Sequence, residues 1–186
     1  MEKREKILAA ALYLFVEFGF HGTPTSKIAQ KAGVANGTLF HYFATKEELI
    51  VALYSEVKMQ MAAYVMQNSK LENSLKETMK GQYLATLYFS LDHKSEFKYM
   101  ELFRLSPYIS MISEEETEKN KKWIYDLLRK GITDKIIKPL PVDYLLTLMS
   151  SHTYGLNQYL ILNEFPKAKQ HQLINDTFEL LWDMIT

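Results

Sequence analysis

With 7 Gly and 5 Pro in 186 residues, this chain has little material for turns, and that scarcity constrains its fold more than any other feature. Glycine and proline are the strongest local punctuators of structure, so where they are few, long helices joined by few breaks are the natural result. Apolar residues make up 47% of the chain, ample for the core of one generous domain or two small ones.

The breaks that do occur divide the chain into helices. Residues 3–18 carry Ile7, Leu8, Ala11, Leu12 and Phe15 at helical spacing and stop at Gly19, a residue suited to a C-cap. Thr23-Pro24 then reads as an N-cap followed by Pro at the first helical position, opening a short helix to Ala32. Gly33 breaks it, and a third helix runs from about Ala35 to Phe43. Thr45 and Glu48 have capping-box spacing and open a long helix to about Gln67. Further helices are expected over 71–91, 94–106, 114–137, 142–164 and 168–185, with Pro139, Pro141 and Pro166 bounding the penultimate one. The fold class is therefore all-α.

Charge is balanced overall but not along the chain. Lys3, Arg4, Lys6, Lys27, Lys31 and Lys46 face only Glu2, Glu5 and Glu17 in residues 1–46, an excess of three positive charges that the remainder offsets. A mildly basic front on a mildly acidic body suits a polyanionic partner at one end. There is no cysteine, so neither a disulfide framework nor a thiolate metal site exists, in keeping with a reducing cytoplasm. The basic MEKREK followed by the apolar ILAAALYLFV imitates a secretory signal, but EFGFHG after it offers no small-residue cleavage site. That run is also shorter than the ~20 residues needed to cross a bilayer, so no membrane partner is expected.

The stretch 22-GTPTSKIAQKAGVANGTLFHYFATKEEL-49 holds two helix-sized segments meeting at a glycine. In the second, Leu39 and Phe43 lie four apart and, with Val34 at the turn, are expected to face Ile28 and Ala29 of the first. The opposite face presents Asn36, Thr38, His41 and Tyr42. Two helices joined by a tight turn, the second showing donors, acceptors and aromatics outward, form a helix-turn-helix whose second helix enters a DNA major groove. The small Ala35 and Gly37 would let that helix start close to phosphates, where the dipole and free N–H groups attract anions.

The run TPTSKIAQKAGVANGTLFHYFATKEELI closely resembles the DNA-binding signature of the tetracycline-repressor (TetR) family over roughly residues 5–50. The shared features are Ile-Ala in a Thr-capped helix, Ala-Gly-Val, Gly-Thr-Leu, His-Tyr-Phe and Lys-Glu-Glu-Leu. Asn36 stands where the family often has Lys or Arg, which removes a phosphate-seeking charge. The resemblance implies a homodimeric repressor with DNA-binding residues in 1–46 and a helical ligand-binding and dimerisation domain in 47–186. In it, the last two helices would pack against their twins in a four-helix bundle. Thr25, Gly37, Thr38, Phe40, His41, Tyr42 and Lys46 match positions that contact DNA in relatives. Thr25, Tyr42 and Lys46 can bond phosphates, Thr38 and His41 can reach base edges, and Phe40 can touch a thymine methyl. The alternative for Phe40 and Tyr42 is simple packing.

The body contains 12 Tyr, 10 Phe and 9 Met, most of which must serve as core. Tyr54, Phe89, Phe103, Trp123 and His152 occupy helices that surround a cavity in relatives, and are the candidates for contact with an apolar or aromatic effector. Glu101 and Asp126 could complement a cationic ligand, although solvated carboxylates are the commoner case. Leu145, Leu148, Leu156 and Tyr159, with Ile174, Phe178, Leu181 and Trp182, form two apolar stripes near the C-terminus, parts of which would cover the core and parts a twin.

No enzyme is expected. His21, His41, His93, His152 and His171 are scattered, no zincin, phosphate-loop or nucleophile-elbow motif occurs, and carboxylates cluster only in surface-type runs such as 114-EEETE-118. Neither a cofactor nor a metal is called for. A helical adaptor or lipid-binding module that never touches DNA is the remaining rival, against which only the first fifty residues speak. The partners expected are a double-stranded DNA operator, a small-molecule effector and a second copy of the chain.

Overall fold

A computed structural model describes residues 2–186, apart from the side chains of 114–121. Among the described residues all regular structure is helical: α1 (Lys3–Phe18), α2 (Thr25–Ala32), α3 (Asn36–Tyr42), α4 (Lys46–Asn68), α5 (Leu75–Asp92), α6 (Lys94–Arg104), a 3-10 turn (Pro107–Met111), α7 (Glu114–Thr133), α8 (Val142–Asn163) and α9 (Lys167–Ile185). The acidic run 114–118 lies outside the described side chains.

Where helix ends differ from the sequence expectation, a specific group decides. Thr23 does not cap α2. Its buried hydroxyl is directed instead at the carbonyls of Leu14 and Gly19, at 3.1 and 2.8 Å, and ties off the end of α1. Pro24 stands in the cap position with extended backbone, and its carbonyl accepts the first bond of α2 from Lys27 N–H at 3.1 Å. At the start of α4 Thr45 Oγ1 accepts Glu48 N–H at 3.0 Å, the first half of the expected capping box, while the Glu48 carboxylate reaches one residue past the cap to accept Ala44 N–H at 2.9 Å. The start of α5 is delayed to Leu75 because Ser74 Oγ accepts Glu77 N–H at 3.1 Å. α6 stops at Arg104, ahead of Pro107, which holds Ser106 in extended backbone. α7, expected to run to 137, ends at Thr133 in a Schellman motif. Lys135 takes a left-handed φ of 59°, Ile136 N–H bonds Gly131 O at 2.9 Å, and Lys135 N–H bonds Ile132 O at 3.0 Å.

Packing divides the chain into two compact units, Met1–Ala62 with His93–Ser113, and Ala63–Asp92 with Glu114–Thr186. By packing, α4 as far as Ala62, α6 and the 3-10 turn go with α1–α3. In the first unit Ile7, Ala11 and Phe15 of α1 join Ile28, Leu39, Leu49, Ile50 and Phe103 in one buried cluster. At its centre Phe20 packs edge-on against Phe15, Tyr99 and Tyr108, with ring centroids 5.2, 5.8 and 5.3 Å apart. Burial raises the Tyr99 phenol well above its ordinary range, and its hydroxyl is satisfied by donating to Ile50 O at 2.7 Å.

The second unit has its own core. Met79, Tyr83 and Leu87 of α5, Leu128 of α7, Leu145 and Leu160 of α8, and Ile174, Phe178 and Leu181 of α9 are buried together. The C-terminal stripes divide here. Leu145, Leu156, Ile174, Phe178, Leu181 and Trp182 all cover this core, so none of them is left for a twin. Tyr159 points outward, joined by Tyr144 and Leu162 on α8 and Leu180 and Met184 on α9.

Candidate nucleic-acid interface

The turn between α2 and α3 rests on one left-handed residue. Gly33 has φ 67° and ψ 36°, its N–H bonds Gln30 O at 3.1 Å, and Val34 N–H bonds Ala29 O at 3.0 Å. This Schellman closure ends α2 within one residue. Ala35 is extended, and its carbonyl then accepts Thr38 and Leu39 N–H at 2.9 and 3.2 Å to launch α3.

Because α3 buries only Leu39 and, just past its end, Phe43, almost its whole circumference is presented outward. Asn36, Gly37, Phe40, His41 and Tyr42 are exposed and Thr38 is half-buried. Phe40 and Tyr42 retain 45% and 43% of their accessible surface, so neither is a packed core aromatic. His41 and Tyr42 meet edge to face with centroids 5.6 Å apart. A seven-residue helix that turns three consecutive aromatic or imidazole side chains to solvent has no folding reason to do so; such side chains suit stacking on and hydrogen bonding to base edges and backbone.

The flanking candidates stand at helix starts. Thr25 is half-buried in the first turn of α2, and Lys46 in the first turn of α4. Lys46 Nζ donates to Phe20 O at 2.5 Å, which leaves two of an ammonium's three donors uncommitted by that bond.

Two basic side chains that the sequence placed in the basic front, but not among the DNA contacts, belong to the same unit. Lys31 lies 3.7 Å above the Tyr13 ring, and Lys27 5.9 Å from that of Phe18. Tyr13 and Phe18 are more than half exposed and stand off the Ile7–Ala11–Phe15 stripe of α1, which is the signal that could have found them. Arg4 pairs with Glu56 at 3.3 Å and lies 5.8 Å from the Phe43 ring.

The effector candidates separate. In the first unit Tyr54 stacks on buried Phe103, centroids 3.9 Å apart and planes 11° from parallel. In the second, Phe89 is buried against Tyr64 with centroids 5.6 Å apart, and Trp123 is 47% exposed on α7. His152 is half-buried, its Nδ1 3.3 Å from the Tyr83 hydroxyl, and burial lowers its pKa from the ordinary 6.5. Asp126 is engaged by Lys122 and Arg129 on its own helix. A polar cleft of about 400 Å³ lies between the end of α4 and α5, lined by Asn68, Ser69, Lys70, Glu77, Lys80 and Leu84 among others, none of them an effector candidate. No group of three or more metal-ligating side chains occurs among the described residues.

Comparison with known proteins bears on the same residues. A family model described as bacterial regulatory proteins of the tetR family matches residues 7–53. The transcriptional repressor KstR2 of Mycolicibacterium smegmatis is 25% identical over 158 residues, 82% of this chain and 76% of that protein. The fatty acid metabolism regulator protein of Bacillus subtilis is 36% identical over 81 residues, 42% of each chain. The fold is similar to the crystal structure of a chain from Shewanella sp. PV-4 assigned to the tetR family of transcription regulators, with TM-score 0.91, 27% identity and coverage of 100% of this chain and 98% of that one.

Proposed function

We propose that this chain, whose residues 7–53 match the tetR family of bacterial regulatory proteins, is a DNA-binding transcription regulator rather than an enzyme, and that it acts as a cytoplasmic, homodimeric repressor that a small apolar effector releases from its operator. The observation that carries the DNA reading to particular residues is the outward face of α3. Asn36, Thr38, Phe40, His41 and Tyr42 are turned away from Leu39 and Phe43, available to read a major groove. Gly37 lets the backbone come close, while Thr25 and Lys46 at two neighbouring helix starts hold phosphates.

A dimer presents two such helices to half-sites about 34–36 Å apart, one turn of the duplex. An effector that binds better to the body with its recognition helices at another separation shifts the population away from the bound form. Phe89, Trp123 and His152 of the second unit are the residues proposed to meet it. One matched relative is a fatty acid metabolism regulator, which favours a largely apolar effector. No helix among the described residues is long and apolar enough to cross a membrane.

The test is a gel shift on the DNA upstream of the protein's own gene, titrated with a panel of alkyl, steroid and aromatic compounds. Salt-sensitive retardation that one class of compound reverses is the expected result. Absence of any salt-sensitive affinity for the duplex leaves the helical-adaptor reading in its place.

A further inference from the structure

The solvent face of α2 carries charge that the fold leaves uncompensated. Its exposed residues are Ser26, Lys27, Gln30 and Lys31. Between Glu17 and Glu47 the sequence has no carboxylate, while Lys27, Lys31 and Lys46 all fall within that stretch. Arg4, Lys76, Lys80, Lys122 and Arg129 each form an ion pair; among the described residues Lys27 and Lys31 form none. Even Glu17, next to Phe18 and one turn from Tyr13 on α1, pairs with neither.

Both ammoniums are held over aromatic rings of α1 instead. Lys31 Nζ stands 3.7 Å from the centre of the Tyr13 ring, and Lys27 Nζ 5.9 Å from that of Phe18. The face of a ring attracts a cation without neutralising it, so these contacts fix where each charge stands and leave it whole. Covering the rings is not what the lysines achieve, since Tyr13 and Phe18 keep 53% and 54% of their surface exposed. Four residues apart on one helix, Lys27 and Lys31 are ~6 Å from each other along its axis and share one side of it. In helix-turn-helix docking the second helix enters the groove while the first crosses the sugar-phosphate backbone.

Resting on the reading that this chain binds duplex DNA through α3, we propose that Lys27 and Lys31 form a second line of contact, to the phosphates beside the groove, and that Tyr13 positions Lys31 for it. The partner's chemistry follows from the donor set. Two uncompensated positive charges, flanked by the Ser26 hydroxyl and the Gln30 amide, offer donors throughout, and a row of phosphate oxygens accepts them. A helix that stays outside the groove does not bring its lysines to base edges, so this line adds affinity without sequence preference. The interface is thereby wider than the outward face of α3 with Thr25 and Lys46.

Fluorescence anisotropy tests this on the full-length protein, with the duplex upstream of its own gene and a poly(dA-dT) duplex, each titrated at several salt concentrations. Lys27→Gln and Lys31→Gln keep much of the side chain and remove the charge. Each should lower the slope of log affinity against log salt by about one per bound protomer, and weaken binding about five- to tenfold near 0.1 M salt on both duplexes alike. Tyr13→Leu removes the ring but not the charge. It should weaken binding about two- to threefold with the slope unchanged, and Tyr13→Phe, which keeps the ring face, should restore wild-type affinity. All four positions are exposed or pack on exposed rings, so the Tm of each variant should stay within about 2 °C of the wild type. Lysine variants that keep the wild-type slope overturn the phosphate contacts, as does a loss confined to one of the two duplexes. Wild-type affinity in Tyr13→Leu, or a loss that Tyr13→Phe shares, overturns the positioning role. A steep wild-type slope that the variants share leaves the DNA reading standing and removes this inference alone. A wild type without salt-sensitive affinity for either duplex overturns both.

Discussion

Lys46 illustrates how one side chain serves packing and recognition together. Its ammonium donates to Phe20 O, and Phe20 is the ring at the centre of the aromatic cluster of the first unit. The bond therefore ties the start of α4 to the segment that follows α1, while donors remain for a phosphate. Removing the ammonium should cost little stability, because the bond to Phe20 O that it breaks is only part-buried. It should cost DNA affinity instead. Lys46→Ala is expected to weaken binding across operator sequences alike and to reduce the slope of log affinity against log salt by about one. Fluorescence anisotropy titrations at several salt concentrations measure this, and an unchanged slope removes Lys46 from the phosphate contacts.

At the scale of elements, the pairing of α2 with α3 depends on how sharply α2 ends. Gly33 adopts a left-handed conformation, and a Cβ built there meets nothing within 4 Å. The cost of Gly33→Ala is therefore the backbone term alone, about 1–2 kcal/mol, readable as a lower midpoint in urea with an unchanged slope. A larger loss, or a changed slope, would mean that the turn rearranges. The same reasoning explains α3 itself. A seven-residue helix is too short to be stable alone, so it is held by Leu39 and Phe43 below it, and its outer face is free of any duty to the core.

At the scale of the whole molecule, the second unit leaves apolar side chains uncovered. Leu162 and Leu180 are 77% and 66% exposed, and Tyr144, Tyr159 and Met184 are exposed on the same two helices. Exposed apolar faces of this kind mark association surfaces, and a two-fold axis pairs the same patch with itself. Light scattering should therefore give twice the 21.7 kDa of the chain. Leu180→Glu should give a monomer of unchanged helicity by circular dichroism. Its affinity for a two-half-site operator should drop at least about a hundredfold, because the second half-site is no longer bound intramolecularly. A variant that remains dimeric places the interface elsewhere.

What the sequence by itself determined is what short-range chemistry controls. The scarcity of glycine and proline, Gly19 and Gly33 at helix ends, and the Thr45–Glu48 box placed the helices of the first fifty residues within a residue or two. The four-residue spacing of Leu39 and Phe43 separated the inner side of α3 from its outer side. These signals act between neighbours in the chain, so they need no fold to be read. Tertiary structure decided everything that depends on distant partners. It drew the Thr23 hydroxyl to Leu14 and Gly19 instead of to α2, stacked Tyr54 on Phe103, and paired His152 with Tyr83. It also spent the Ile174–Phe178–Leu181 stripe on the monomer's own core and left Leu180 outside. Helical periodicity says that a face is apolar, but the same period results whether that face meets its own core, a twin or a ligand. The Asn157–Ser90 hydrogen bond belongs to this second class, because a buried amide is paired only by a residue, here 67 positions away, that the fold brings onto it.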